Sequence, residues 1–403
     1  MNKFLLIFIG LIICCEVRAQ NIDQHCGMTE QDYRTLEKAI MLVDGGMTAA
    51  ALGDFNDLAK RYPDNYLVLY ERLYALYMLG QYSEVANDAM DLLNRPEAQY
   101  VAFQLCGNAC DMTGNSTEAR RIYQLGLDRF PNSGSLYLEL GNLDWAEERY
   151  MAALPYYLQG IKVDPNFASN YFRAAIISFA IDEAKVWGLI YAETEILLAP
   201  NNEERHNYMA QTIRDCYTES IESKANGSKL ETSINLVPAR NIQIDPEQEM
   251  VLVEFPGVYE ACAITALTKY FSVPDKMFNG SIADMAELRK GIVEAYMKAA
   301  ADAFGNAMYL LPFQKRIIDA GHWEAYNYFL LGPAAPEEFS TWHEENGRKL
   351  DSFIEWYNLD DNRFSLGDGK SVGQLDIFSD YKRMELMKAF ELQTDINETE
   401  PSL

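Results

Sequence analysis

An all-α fold follows from three observations on this sequence. Five prolines, Pro63, Pro96, Pro131, Pro165 and Pro200, recur at spacings of 33, 35, 34 and 35 residues. Such a period belongs to stacked helix-turn-helix units. Between the prolines, small residues alternate with large ones in the order expected where two antiparallel helices touch. Beyond residue 256 the apolar positions recur at three and four, as in Met285, Leu288, Ile292, Val293 and Tyr296, which is helical periodicity without a longer repeat. The expected architecture is a helix-turn-helix solenoid followed by a helical C-terminal domain, with a short β-hairpin admitted at the junction.

The repeats justify themselves one copy at a time. The copy from Gly134 to Phe167 carries Tyr137, Leu140-Gly141, Tyr150, Ala153, Tyr157, Gly160 and Asp164-Pro165. The copy before it, Tyr100 to Ser133, carries Phe103, Cys106-Gly107, Gly114, Ala119, Tyr123, Gly126 and Pro131. Small residues bring two helices close, tyrosines fill the space between units, and Asp-Pro stops the second helix. Copies at 66–99 and 168–200 are weaker, and a degenerate one covers 32–65 with Ala51, Phe55 and Leu58 ahead of Pro63. On these residues the sequence resembles the tetratricopeptide repeat family over 32–220, most specifically over 100–167.

That resemblance implies a right-handed solenoid whose first helices line a concave groove. Carried over by alignment, the groove positions are Tyr70, Tyr74 and Tyr77, then Gln104, Asn108 and Asp111, then Leu138, Asn142 and Trp145, and last Phe172, Arg173, Ile176 and Phe179. The set is aromatic and polar with one cation. It departs from members that clamp a terminal carboxylate with several Lys or Arg. Asn108 and Asn142 stand 34 residues apart and suit hydrogen bonding to an extended peptide in register.

Charge narrows the function. The chain has 403 residues, with 60 Asp and Glu against 34 Lys and Arg, a net charge of −26. Nucleic acid requires a basic footprint, so it is excluded as a partner. An anionic membrane surface is disfavoured on the same ground.

At the N-terminus, Lys3 precedes an apolar run from Phe4 to Cys15, and Val17-Arg18-Ala19 supplies a cleavage site after Ala19. This reads as a signal peptide, 1–19, too short to remain as a membrane span. Acylation of Cys14 or Cys15 as a lipoprotein is the lesser alternative, because Ile13 and Cys14 stand where the lipobox wants a small residue. The expected location is the periplasm or the exterior of a Gram-negative envelope. Export permits disulfides, yet Cys26, Cys106, Cys110, Cys216 and Cys262 are odd in number and scattered. Cys106 and Cys110, one helical turn apart, read as small apolar residues inside a helix pair.

The expected organisation is therefore 1–19 signal, 20–31 tail, 32–223 repeats, 224–248 linker, 249–393 helical domain and 394–403 disordered tail. Ile242 and Met250 to Phe255 suit short strands. Helices are expected near 258–271, 282–303, 308–319, 322–331, 336–357 and 377–393, with Ser281 capping the second. Gly321 to Tyr328 and Glu355 to Asn358 are similar to tails of other exported bacterial repeat proteins without known activity.

Several motifs fail a physical test. Gly369-Lys370-Ser371 ends like a phosphate loop, but Phe364 occupies the required Gly position. Gly369 to Gly373 fits a nucleophile elbow, but no His follows His343 to act as its base. His343-Glu344 lacks the second His of a zinc helix, since Gly347 stands there. Asn358, Asp360 and Asn362 alternate like a calcium loop, but Arg363 replaces the turning Gly. His322 with Glu324 lacks spaced partners. No cofactor or metal is expected. The favoured function is a non-catalytic exported interaction module whose groove takes a peptide or protein partner. The alternatives are surface capture of a glycan or nutrient, and a hydrolase using acids such as Glu324, Glu344 or Asp360 within 249–403.

Overall fold

The computed structural model describes residues 27–226, 229–234, 257–273, 276–299 and 309–366. The signal segment with Cys14, Cys15 and Ala19, Cys26, most of the linker at 224–248, the strands at Ile242 and Met250 to Phe255, the Gly369 motifs, the helix at 377–393 and the tail at 394–403 lie outside them. The chain forms two compact units that divide between Tyr156 and Tyr157, inside a helix rather than at the expected linker.

The first unit is a row of antiparallel helix pairs: α1 (Glu30–Asp44) with α2 (Thr48–Arg61), α3 (Tyr66–Met78) with α4 (Tyr82–Leu93), and α5 (Tyr100–Met112) with α6 (Ser116–Arg129). α7 (Gly134–Ala146) and the start of α8 (Tyr150–Val163) follow. The degenerate copy and the weaker one at 66–99 are thus complete helix pairs. The first helices α1, α3, α5 and α7 neighbour one another along one side. Phe55, Leu58, Val85, Phe103, Ile122 and Tyr123 form the buried interior.

A turn chemistry with the same period joins the two helices of each pair. Gly46, Gly80, Gly114 and Glu148 all have positive φ, at 77°, 75°, 83° and 60°. Each donates its amide to the carbonyl three residues back, and the next residue donates five back: Gly80 to Tyr77 and Gln81 to Leu76, both at 2.9 Å. This is the Schellman closure of a helix C-terminus. Glycine adopts the left-handed conformation freely, whereas a Cβ meets the carbonyl there. Glu148 carries that strain.

Between pairs, the proline loops leave carbonyls outside any helix, and arginines satisfy them. Arg95 donates to Pro63 O at 3.0 Å and Asp64 O at 2.9 Å. Arg129 donates to Pro96 O at 3.0 Å and Ala98 O at 3.1 Å. Asn65 and Ser133, after Pro63 and Pro131, cap α3 and α7 by accepting from Val68 N and Leu136 N.

The second unit contains the rest of α8, then α9 (Ala168–Phe179), a 3₁₀ turn (Asp182–Ala184), α10 (Lys185–Leu198) and α11 (Glu203–Ser220). Strands β1 (Ile221–Asn226) and β2 (Lys229–Ile234) pair antiparallel from Ile221↔Ile234 to Asn226↔Lys229. A hairpin therefore starts directly after the last repeat helix, earlier than the strands expected at Ile242 and Met250 to Phe255. The signal was in the sequence: Gly227-Ser228 is a two-residue hairpin dipeptide between paired flanks. α12 (Gly257–Tyr270), α13 (Ile282–Ala299), α14 (Leu310–Asp319), α15 (Trp323–Leu331), a 3₁₀ turn (Gly332–Ala334) and α16 (Pro336–Asn358) complete the described chain. Five of the six expected helices fall among the described residues and are present, and Ser281 Oγ caps α13 by accepting from Asp284 N at 3.1 Å.

α10 is buried from Val186 to Leu197, and it holds two carboxylates inside. Glu193 accepts from Arg289 at 2.5 Å, from Gln314 at 2.5 Å and from the Tyr326 hydroxyl, while Arg289 also donates to Asn327. One carboxylate thus ties α10 to α13, α14 and α15. Such a burial is tolerable because both charges are paired and hydrogen-bonded.

Glu195 is less well served. Arg205 of α11 reaches its Oε1 at 3.4 Å while donating also to Ser169 Oγ of α9, and Oε2 is buried with no partner among the described residues. Burial outweighs the guanidinium and pushes the carboxyl up to about 7.

Two outcomes follow from these contacts. Replacing Glu148 by Gly removes left-handed strain and should stabilise the first unit by about 1 kcal/mol, read as a higher thermal midpoint. A midpoint unchanged or lower sinks that account of the turn. For Glu195, the folded chain holds the proton above the pH at which the unfolded chain, with its ordinary value near 4.5, releases it. Stability is then greatest below that ordinary value and falls as pH rises towards neutrality. Glu195→Gln should remove this slope, seen as a wild-type-minus-variant difference in midpoint that shrinks from pH ~5 to pH ~8.

Candidate functional site

The expected groove residues of the first unit lie on α3, α5 and α7, which stand side by side. The sequence places Tyr66, Tyr70, Tyr74 and Tyr77 on one face of α3, and their rings form a ladder. Tyr66 and Tyr70 stack at 6.1 Å, and Tyr70 and Tyr74 at 6.4 Å with rings 7° apart. Tyr70 and Tyr74 are only 7% and 8% exposed and belong to the interior. Leu138 is buried as well. Wall-building is what these three side chains do.

The half-buried positions are Tyr77, Gln104, Asn108, Asp111, Asn142 and Trp145, and each is held by a neighbouring side chain. Tyr123, whose ring passes over Gly107, donates its hydroxyl to Asn108 Oδ1 at 2.5 Å. A Cβ on residue 107 would stand 2.1 Å from that ring. Asn108 also hydrogen-bonds Tyr77. Ser116 donates to Asp111 at 3.1 Å. Trp145 packs edge-on against Tyr150 at 5.0 Å.

One residue absent from the expected set holds this face together. Glu139 of α7 accepts from Gln104 Nε2 of α5 at 2.8 Å and from Asn142 Nδ2 at 3.0 Å. The signal for it is spacing: Glu139 is three residues before Asn142, so the two share a face of one helix. Glu139 and Asp111 both act on the phenols of Tyr77 and Tyr123. Burial first, and then those carboxylates, raise both phenols well above the ordinary range. Tyr77 and Tyr123 are therefore hydroxyl donors at every physiological pH.

Phe172 and Arg173, with Ile176 and Phe179, lie on α9 of the second unit. The Arg205 guanidinium sits 4.6 Å over the Phe172 ring, and Tyr208 packs on it at 6.0 Å. Phe179 lies across Gly188 of α10, where an added Cβ would meet it at 2.7 Å. Phe172 and Phe179 thus pack within the second unit.

Glu324 accepts from Trp342 Nε1 at 2.8 Å and Lys349 Nζ at 2.6 Å. Asp360 is 97% exposed beside Arg363, and Glu344 is exposed on α16. His343 stacks on Phe339. Asn362 accepts from Arg316. Cys106, Cys110, Cys216 and Cys262 are buried free thiols, raised above their ordinary range by burial. No three of His, Cys, Asp and Glu gather as a metal site among the described residues, and no described helix is long and apolar enough to cross a membrane.

No protein family and no curated protein matches the chain in sequence. Among solved structures, it is similar to TTC0263, a thermophilic TPR protein of Thermus thermophilus. The identity is 15% over 45% of this chain and 98% of that one, with a TM-score of 0.38. A MamA protein matches at 14% identity over 44% and 96%, with a TM-score of 0.35. The C-terminal part of a TPR repeat-containing protein from Cytophaga hutchinsonii matches at 17% over 46% and 86%, with a TM-score of 0.26. Independently of these likenesses, paired helices, a period near 34 and left-handed turns recurring in step make the fold of the first unit a tetratricopeptide-type helical repeat.

Proposed function

We propose that this chain is a non-catalytic interaction module that holds an extended peptide on the α3, α5 and α7 face of its first unit. The observation that carries this reading is the fixed row of side-chain amides. Gln104, Asn108 and Asn142 come from two successive first helices and are positioned by Glu139, Tyr77 and Tyr123. A side-chain amide offers two donors and an acceptor, so such a row complements a peptide backbone while neighbouring aromatics take its side chains. The bonds from Glu139 and Tyr123 fix the amides in advance, which lowers the ordering cost of binding.

Export completes the proposal. The Lys3, Phe4 to Cys15 and Ala19 pattern supports removal of residues 1–19 and delivery of the remainder to the cell envelope. The partner is then another envelope protein.

Peptide display on residues 20–403 tests the site. Recovered peptides should bind the parent chain, and Gln104→Ala combined with Trp145→Ala should weaken them at least about tenfold with helical circular dichroism intact. Equal binding by that variant places the site elsewhere. For export, the chain recovered from producing cells should begin at Gln20 by mass spectrometry, and a chain retaining Met1 defeats that part.

A further inference from the structure

The last described residues run across the second unit in the manner of a docked peptide. After α16 ends at Asn358 the chain turns, and Arg316 of α14 holds the turn by donating to Asp361 O at 2.6 Å and Asn362 Oδ1 at 3.2 Å. Phe364, Ser365 and Leu366 follow outside any helix. Their side chains alternate as in a strand. Phe364 and Leu366 are 5% and 1% exposed, and Ser365 between them is exposed. Phe364 packs edge-on against Phe313 of α14, with ring centroids 4.9 Å apart. The backbone of Leu366 meets the loop between α8 and α9: Leu366 N donates to Asn166 Oδ1 at 2.8 Å, and Asn166 Nδ2 donates to Leu366 O at 3.0 Å. One side-chain amide thus makes both bonds that a paired strand residue would make.

We infer that the Asn166 loop and the Phe313 ring form a peptide-binding site for an extended aromatic-x-leucine segment, and that Phe364-Ser365-Leu366 is its occupant in cis, a latch that a free segment of the same pattern replaces. The inference stands apart from the peptide reading of the first unit. Backbone pairing with pockets for alternate side chains is a general mode of peptide recognition. Asn166 is exposed and lies 200 residues from Leu366, so the contact joins a loop to a chain end rather than two core elements. The repeats also leave this loop to an outside partner. Arg95 stands 32 residues after Pro63 and holds that loop from within the repeats, whereas Leu197 stands 32 after Pro165. Tethering gives the cis segment an effective concentration of about millimolar, which excludes dilute competitors until the latch is weakened.

The experiment uses residues 20–403 and a capped, fluorescein-labelled peptide of residues 360–366. By anisotropy the parent, filled in cis, should bind it poorly. Phe364→Ser combined with Leu366→Ser weakens the latch and leaves Asn166 and Phe313 in place, and should bind at least about tenfold more tightly. Adding Asn166→Ala to that variant should abolish the gain. Hydrogen exchange read by mass spectrometry supplies a second measurement on a mildly altered chain. Asn166→Ala alone, at an exposed position, should speed exchange of residues 364–366 at least about tenfold and leave the helices of the second unit as protected as before.

No gain in binding by the double variant overturns the peptide site, and a gain that survives Asn166→Ala overturns the assignment to Asn166. Loss of helical circular dichroism in the double variant, or faster exchange throughout the second unit in Asn166→Ala, makes the segment part of the core and overturns the latch.

Discussion

The passage of the Tyr123 ring over Gly107 is the contact on which the first unit depends. Two helices of a pair lie so close there that even a methyl group would overlap the ring, at 2.1 Å. The same contact delivers a phenol hydroxyl to Asn108. Packing and candidate site therefore share one interaction: the close approach that stabilises α5 against α6 also orients an amide on the α3, α5 and α7 face. Tyr123 is buried, and its hydroxyl needs a partner there. Asn108 supplies it.

The second unit is organised by a different constraint, a charge inside a core. Glu193 sits on a helix that is otherwise apolar and buried, and four groups from three later helices converge on it and on Arg289. Replacing such a network by apolar side chains is often neutral for stability, but the partners specify which helices meet. Burial leaves Glu195, two residues on, with one weakly placed guanidinium. The contrast between these neighbours lies in the number and geometry of donors: Glu193 accepts from three groups, whereas one oxygen of Glu195 has no partner among the described residues.

Legibility in the sequence followed periodicity. The proline spacing located α3 to α10, and the three-and-four recurrence located α12 to α16 to within a few residues. The left-handed turn at 46, 80 and 114 was equally visible as glycine, and Glu148 shows the position persisting where the residue type does not. Legibility was poorer for the site. Alignment to first-helix positions gathered Gln104, Asn108, Asp111, Asn142 and Trp145, which are half-buried, together with Tyr70 and Tyr74, which are buried. Glu139 escaped because the groove alignment took only the family's positions, although its spacing of three from Asn142 put it on the same helix face.

What the sequence determined by itself is the helical repeat, its turns and the helical character of 257–270, 282–299 and 310–358, since each follows from contacts between residues close along the chain. Hydrogen bonds and side-chain spacing within one helix pair are local, and a period repeats them visibly. Only the tertiary structure decided which phenols are wall and which are surface, and that Glu139 bridges Gln104 and Asn142. It alone brought Arg289, Gln314 and Tyr326 to Glu193, and set the division between units inside α8. These depend on residues 35 to 133 positions apart. At those separations burial and partner geometry come from packing, and no spacing in the chain encodes them.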